Sequence, residues 1–299
     1  MKMKMKKKWI IGTRGSGLAL KQTGIVVERL KALYPHIEIE VKTIKTKGDT
    51  IWDRPLHLVG GKGLFVKEIE DALVKGQIDM AVHSVKDMPT EMADGLTIGA
   101  ILEREDPRDV FISHTYNGIN ELKPKATIGT SSLRRRSQLI NIKRDINIVD
   151  IRGNVDTRIR KIAERQLDGI ILAYAGVKRM GLQDKIKEIL PVDVMVPPAG
   201  QGAIGIETKD NKDILELLRP LNHEKSLKEI TIEREIQKGI GGGCQVPLGI
   251  NASISGDRLT INIFLGKESG DIIIKEKYTG DVNKAEEMVE DIIKGLPHF

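Results

Sequence analysis

Trp9-Ile10-Ile11-Gly12-Thr13-Arg14-Gly15-Ser16-Gly17 is followed by Leu18, Ile25, Val26, Leu30 and Leu33 at roughly helical spacing. A short apolar run, a glycine-rich turn and then a 3.6-residue period read as strand, turn and helix. Ala126-Thr127-Ile128 leads into Gly129-Thr130-Ser131-Ser132 and a helix beginning near Leu133, which repeats that order. Ile11-Gly12-Thr13 is echoed by Ile128-Gly129-Thr130, a three-residue hint of two related lobes.

Working outward, the same alternation continues to about Lys209. Ile37–Val41, Ile78–Val82, Ile146–Ile151 and Gly169–Ala173 read as strands, and Leu64–Val74 and the segment bearing Arg158 read as helices. Alternating strands and helices predict an α/β architecture. From about Leu221 the pattern changes. A charged helical segment ends at Gly239, and strand-like runs follow at Gly249–Ser255, Leu259–Leu265 and Ile272–Tyr278. A helix over Ala285–Lys294 closes the chain, so a small α+β C-terminal domain with an antiparallel sheet is expected.

Composition narrows the function. The chain has 299 residues with 40% hydrophobic and 30% charged residues, a globular profile. No apolar run approaches the ~20 residues that span a bilayer. The formal charge of +6 falls to +1 once the five lysines of Met1–Lys8 are set aside, so the body lacks a basic footprint for nucleic acid. Aromatic residues, at 3%, offer few stacking platforms for single strands. The lysine-rich tail has no apolar core behind it, so a cytoplasmic protein is expected, with the tail either a solvated end or an aid to steering anions. The single cysteine, Cys244, excludes an internal disulfide framework or a cysteine-cluster metal site, and the six histidines show no paired ligand spacing. No metal is expected. Gly12-x-x-Gly15-x-Gly17 has the wrong order for a dinucleotide fingerprint, and neither a Walker A pattern nor a Gly-x-Ser-x-Gly elbow occurs.

The chemistry collects in the loops after strands. Arg14 and Ser16, Lys86 and Asp87, Ser131, Ser132, Arg134 and Arg135, Arg152 and Arg158, and Arg179 all fall there. In open α/β sheets ligands bind beyond the carboxyl ends of strands, where helix N-termini favour anions. Any one arginine can be a solvated helix-end residue, but the recurrence points to a ligand with several carboxylates or phosphates. Cys244, between Gly239-Ile240-Gly241-Gly242-Gly243 and Gln245-Val246-Pro247, is either a small buried hydrophobe or a thiol exposed for covalent chemistry. Asp87 beside Lys86 is either an exposed ion pair or a working carboxylate.

Six blocks in order carry a resemblance. They are Val59-Gly60-Gly61-Lys62-Gly63-Leu64-Phe65-Val66-Lys67-Glu68, His83-Ser84-Val85-Lys86-Asp87, Glu103-Arg104-Glu105-Asp106-Pro107-Arg108-Asp109, Gly129-Thr130-Ser131-Ser132-Leu133-Arg134-Arg135, Arg152-Gly153-Asn154, and Gly241-Gly242-Gly243-Cys244-Gln245-Val246-Pro247. Together they resemble the porphobilinogen deaminase (hydroxymethylbilane synthase) family over almost the whole chain after the tail.

The resemblance implies two lobes like those of periplasmic binding proteins plus the small C-terminal domain. The implied boundaries are 1–102 with 200–219, 103–199, and 220–299, with crossings at Leu102–Asp106 and Pro197–Gly202. It implies a transferase that carries a dipyrromethane cofactor as a thioether on Cys244. This enzyme adds four porphobilinogen units and releases hydroxymethylbilane and ammonia. Asp87 matches the family's catalytic aspartate, with Lys86 beside it. Lys86, Asp87, Thr130, Ser131, Ser132, Arg134, Arg135 and Gly153 match cofactor contacts. Arg14, Ser16, Gln22, Arg152, Arg158, Ala173, Arg179, Gln201 and Gly202 match positions around the substrate and growing chain. A monomer is expected, with porphobilinogen as substrate and no nucleic-acid or membrane partner.

The residues agree with this reading. Each porphobilinogen carries an acetate and a propionate, which suits arginines. Loss of ammonia leaves a cationic azafulvene that a carboxylate stabilises. Leu58 stands where the family often has lysine, and Pro198 is an extra proline in Val196-Pro197-Pro198-Ala199. The competing reading is a two-lobed sensor of a small anion without catalysis; Cys244 in its glycine loop and Asp87 among arginines argue against it.

Overall fold

A computed structural model describes residues 6–50, 63–241 and 246–296. The loop glycines Gly60 and Gly61, Leu58, and the Gly242-Gly243-Cys244-Gln245 segment lie outside the described residues. In chain order the strands are β1 (Lys8–Thr13), β2 (Glu38–Thr43), β3 (Met80–Ser84), β4 (Leu96–Ile101), β5 (Asp109–Ile112), β6 (Thr127–Gly129), β7 (Asn147–Val149), β8 (Gly169–Ala173), β9 (Ile186–Ile189), β10 (Ile204–Lys209), β11 (Leu248–Ser255), β12 (Arg258–Gly266) and β13 (Ile272–Asp281). The principal helices are α1 (Gly17–Leu33), α2 (Lys67–Val74), α3 (Leu133–Ile142), α4 (Val155–Glu164), α5 (Tyr174–Arg179), α6 (Lys212–Leu218), α7 (Glu224–Ile240) and α8 (Ala285–Gly295).

The chain divides into two compact units. Among the described residues, one holds 6–50, 63–104 and 203–227, and the other holds 105–202, 228–241 and 246–296. The first unit is a five-stranded sheet in the order β2-β1-β3-β10-β4, with β10 antiparallel to both neighbours. Apolar side chains cover both faces. Ile11, Val26, Leu30, Met80, Ile206 and Leu218 form one cluster, and Ile69, Leu73, Ile78, Ala81 and Leu96 form the other.

The second unit contains a five-stranded sheet in the order β7-β6-β8-β5-β9, with β5 antiparallel to β8 and β9. The two sheets follow one plan. In one sheet β1 lies between β2 and β3 and the antiparallel β10 separates β3 from β4; in the other β6 lies between β7 and β8 and the antiparallel β5 separates β8 from β9. The echo of Ile11-Gly12-Thr13 in Ile128-Gly129-Thr130 therefore marks equivalent places in two related sheets.

The second unit also carries the C-terminal antiparallel sheet β11-β12-β13, whose inner residues Ile250, Leu259, Ile261 and Ile263 pack with Ile232, Ile236, Val289 and Ile292. The fold is thus α/β in two sheet-and-helix lobes plus a small α+β domain. No helix among the described residues is long and apolar enough to cross a membrane.

Local chemistry sets the helix starts. Ser16 caps α1 by accepting from Ala19 N at 3.2 Å, and Ser132 caps α3 by accepting from Arg135 N at 3.4 Å. These caps fix the turns that follow β1 and β6, at or just beyond which Arg14, Ser16, Ser131, Ser132, Arg134 and Arg135 reside.

Candidate active site

In the first unit, β3 ends at Ser84 and a single 3-10 turn, Val85–Asp87, follows, closed by Met88 N donating to Val85 O at 3.0 Å. That turn sets the Asp87 side chain out into solvent; among the described residues no hydrogen bond or ion pair engages its carboxylate. Arg14, Ser16, Gln22, Phe65, His83, Ser84 and Asp87 line one pocket. Four residues expected on sequence grounds, Arg14, Ser16, Gln22 and Asp87, are therefore brought together. A larger groove of about 430 Å³, lined by Ile98, Lys212, Leu215 and Arg219 among others, holds none of the expected residues.

The pocket is internally braced. Gln22 Nε2 donates to Ser84 Oγ at 2.8 Å, and Ser84 Oγ donates back to Gln22 Oε1 at 3.2 Å. Arg14 Nη2 bonds Asp49 Oδ1 at 2.6 Å, and its guanidinium lies over the Phe65 ring, 4.0 Å from the centroid. Burial pushes the Asp49 carboxyl up, but bonds from Arg14 and Thr46 outweigh that and hold it below the usual range. Asp49 and Phe65 were missed as site neighbours. Phe65 sits inside a quoted motif, but nothing in the spacing links either residue to Arg14.

In the second unit Thr130, Ser131, Ser132, Arg152, Gly153 and Ala173 lie at or just after the ends of β6, β7 and β8, while Arg134, Arg135, Arg158 and Arg179, expected in loops, stand on the helices that follow. Ser131 Oγ bridges to Ile151, donating to its carbonyl and accepting from its N–H, both at 3.0 Å. Thr130 is buried, and its Oγ1 accepts from Ser132 N at 3.2 Å. Gly153 has φ +119°, a conformation that favours glycine, and its carbonyl accepts from Arg158 Nε at 2.7 Å. Arg152 is half-buried in the same loop, and Ala173 ends β8 just before α5. Arg179, at the end of α5, donates through Nη2 to Gly202 O at 2.7 Å.

Arg134 and Arg135 are 4% and 6% exposed, far from the solvated helix-end alternative. Arg134 donates to Val196 O and Asp109 Oδ2, both at 2.7 Å, and Arg135 donates to Ile171 O at 3.0 Å and Asp109 Oδ1 at 2.8 Å. Gln201 is fully buried and donates to Pro107 O and Asp109 Oδ1. Burial would push the Asp109 carboxyl up, yet the two guanidiniums and the bonds from Arg135 and Gln201 hold it far below the usual range. Sequence reading gave Asp109 no role, because it ends a run of charges that looks solvent-facing. Its one signal was position, at the head of the apolar run Val110-Phe111-Ile112.

Arg135 Nε is buried and has no acceptor among the described residues. A carboxylate suits such a donor, so these residues fit an acid-bearing cofactor. Lys86 is half-buried beside Asp87. Cys244, the expected anchor, lies outside the described residues. No group of three His, Cys, Asp or Glu side chains among the described residues could hold a metal ion.

Residues 9–216 match the family description "Porphobilinogen deaminase, dipyromethane cofactor binding domain", and residues 227–297 match "Porphobilinogen deaminase, C-terminal domain". The chain belongs to the porphobilinogen deaminase family. It is 47% identical over 285 residues to the porphobilinogen deaminase of Carboxydothermus hydrogenoformans, covering 95% of this chain and 92% of that one. With that of Geobacter sulfurreducens it is 48% identical over 279 residues, covering 93% and 87%. The solved structure of the methionine binding protein MetQ is similar at a TM-score of 0.45 and 12% identity, over 72% of this chain and 88% of that one. The first family match begins at β1 and spans both related sheets, and the second begins within α7.

Proposed function

We propose that this chain is a transferase that deaminates four porphobilinogen molecules and joins them head-to-tail on a dipyrromethane primer, releasing hydroxymethylbilane and ammonia. The observation that carries the reading is Asp87, an exposed carboxylate without a partner among the described residues, in one pocket with Arg14, Ser16 and Gln22, in a chain whose two family matches are both porphobilinogen deaminase. In this reading the protein is a cytoplasmic monomer of three domains, 1–102 with 200–219, 103–199 and 220–299.

The cofactor supplies, when bound, a nucleophilic pyrrole carbon at which the chain grows. Cys244 holds it by a thioether, and Lys86, Asp87, Thr130, Ser131, Ser132, Arg134, Arg135 and Gly153 bind it. Arg14, Ser16, Gln22, Arg152, Arg158, Ala173, Arg179, Gln201 and Gly202 receive the carboxylates and body of the substrate and growing chain. Arg14 is held on one edge by Asp49 and on its face by Phe65, which aims the remaining donors at an incoming acetate or propionate. Asp87 first holds the protonated aminomethyl group of porphobilinogen. The C–N bond breaks, its electron pair leaves with ammonia, and the substrate methylene becomes cationic. The Asp87 carboxylate stabilises that cation until the C–C bond forms, then assists loss of the displaced ring proton. Each cycle releases one ammonia; after the fourth, the bond between primer and product would break, with the hydroxyl of water going to the product methylene and a proton returning to the primer carbon.

The experiment is an intact mass of protein made in a porphobilinogen-competent cell. The expected value exceeds the polypeptide by one dipyrromethane, with no adduct on Cys244→Ser. A bare polypeptide mass with full turnover overturns the covalent cofactor. A brief pulse of limiting substrate is expected to add ring-spaced masses that survive denaturation; a non-catalytic sensor gives none.

A further inference from the structure

The structure assigns Asp109 a positioning role: it fixes Arg134 and Arg135 and leaves the Arg135 Nε edge, with one uncompensated positive charge, for a single carboxylate. This rests on the reading above in which these arginines bind the cofactor's acid groups.

Three observations support it. Asp109 is fully buried, and its two oxygens are divided between the arginines, Oδ2 to Arg134 Nη2 at 2.7 Å and Oδ1 to Arg135 Nη2 at 2.8 Å, with Gln201 Nε2 also on Oδ1 at 2.9 Å. The second Nη of each arginine is spent on a backbone carbonyl, Val196 O or Ile171 O. Each guanidinium is thus held at two points in its plane, and its orientation is set. Arg135 Nε is nevertheless buried without an acceptor among the described residues.

A purely structural cluster has a different form. Buried charges persist in proteins when paired and fully hydrogen-bonded, because an unpaired ion loses its hydration with nothing in return. Here two guanidinium cations share one carboxylate, and one donor is left over. What is lacking is one negative charge and one acceptor, which a single carboxylate supplies. The backbone makes the placement rigid: Asp109 opens β5, paired with Ala173 of β8, and its carbonyl accepts from Leu190 N at 2.9 Å. Asp109 is a positioning residue in this account, since it acts on the ligand only through the arginines.

The test uses full-length apoprotein incubated with porphobilinogen, with the cofactor-loaded fraction followed by intact mass and folding followed by thermal unfolding. Asp109→Asn removes the charge and keeps the shape; Asp109→Glu keeps the charge and displaces it by one methylene. Folded Asp109→Asn is expected to load at least tenfold more slowly, and folded Asp109→Glu to load at an intermediate rate. Asp109→Asn is expected to add less to the defect of Arg135→Leu than it causes alone, since only its hold on Arg134 remains to be lost, whereas a merely structural loss adds in full. A folded Asp109→Asn that loads within twofold of the parent overturns the inference, as does an additive double variant. If Asp109→Asn does not fold, Asp109→Glu decides by the same twofold criterion, and if neither folds at any temperature Asp109 is structural and the inference fails. Arg135→Leu separates the two levels. Normal loading there overturns the cofactor reading itself, while blocked loading with a normal Asp109→Asn overturns only the role of Asp109.

Discussion

Asp87→Asn separates chemistry from stability with unusual clarity in this fold. The side chain is exposed, and among the described residues its carboxylate holds no bond, so removing its charge breaks nothing in the folded state. Surface changes of that kind stay within about 0.5 kcal/mol, which is a Tm shift of about 1–2 °C in a unit of this size. The catalytic cost is of another order. A preorganised group facing charge that develops in the transition state contributes about 2.7–4 kcal/mol, so kcat is expected to fall about 10²–10³-fold. Since Asp87 also holds the ammonium of bound porphobilinogen, KM is expected to rise as well, while the loss on the cation that forms after C–N cleavage falls in kcat. The assay is ammonia release per cofactor-loaded molecule, with loading read by intact mass and folding by thermal unfolding. Asp87→Glu is expected to lie between the two, its charge kept and its position moved. A loaded, folded Asp87→Asn with kcat within threefold of the parent refutes the cation-stabilising role.

Two further outcomes follow from the packing. Gly202 has φ +90°, and a Cβ there would lie 2.2 Å from Glu105 O, so Gly202→Ala is expected to cost about 1–3 kcal/mol in backbone strain and about 1–3 kcal/mol in overpacking, read as a fall in urea midpoint; an unchanged midpoint contradicts the geometry. Glu70 is raised above the ordinary glutamate range, by burial first and then by the Glu207 charge, against a bond from Ala93 and the pull of His83. A raised carboxyl disfavours folding where it is ionised, so the penalty is full above its folded pKa and vanishes below the unfolded value of about 4.3. Glu70→Gln is therefore expected to raise Tm at neutral pH by an amount that shrinks as pH falls toward that value, and equal melting of the two proteins at pH 7 counts against it.

What the sequence made legible was local. Strand, glycine turn and helix at Trp9–Leu33 and again at Ala126–Ile142 follow from period and caps, and Arg14, Ser16, Ser131, Ser132, Arg134 and Arg135 stand at or just beyond those turns. The antiparallel strands β5 and β10 were not legible. Both are buried on both faces, so neither shows the alternation that marks a half-exposed strand, and nothing local encodes the direction in which a strand enters a sheet. Partners were equally hidden. Asp49 is 35 residues from Arg14, and Asp109 is 25 and 26 from the arginines it joins, so charge pattern along the chain cannot tell a carboxylate solvated by water from one solvated by guanidinium.

That hidden pairing changes how the arginines are to be counted. Read in sequence, each is a whole positive charge waiting for an anion. In the folded chain Arg14 leans on Asp49, Arg134 and Arg135 share Asp109, and Arg158 and Arg179 are tied to the carbonyls of Gly153 and Gly202. Asp49 lowers the net charge around Arg14, Asp109 does so around Arg134 and Arg135, and each of these five guanidiniums is held within the fold. Immobilising a free side chain costs about 0.5–1.5 kcal/mol on binding, and these arginines meet that cost during folding.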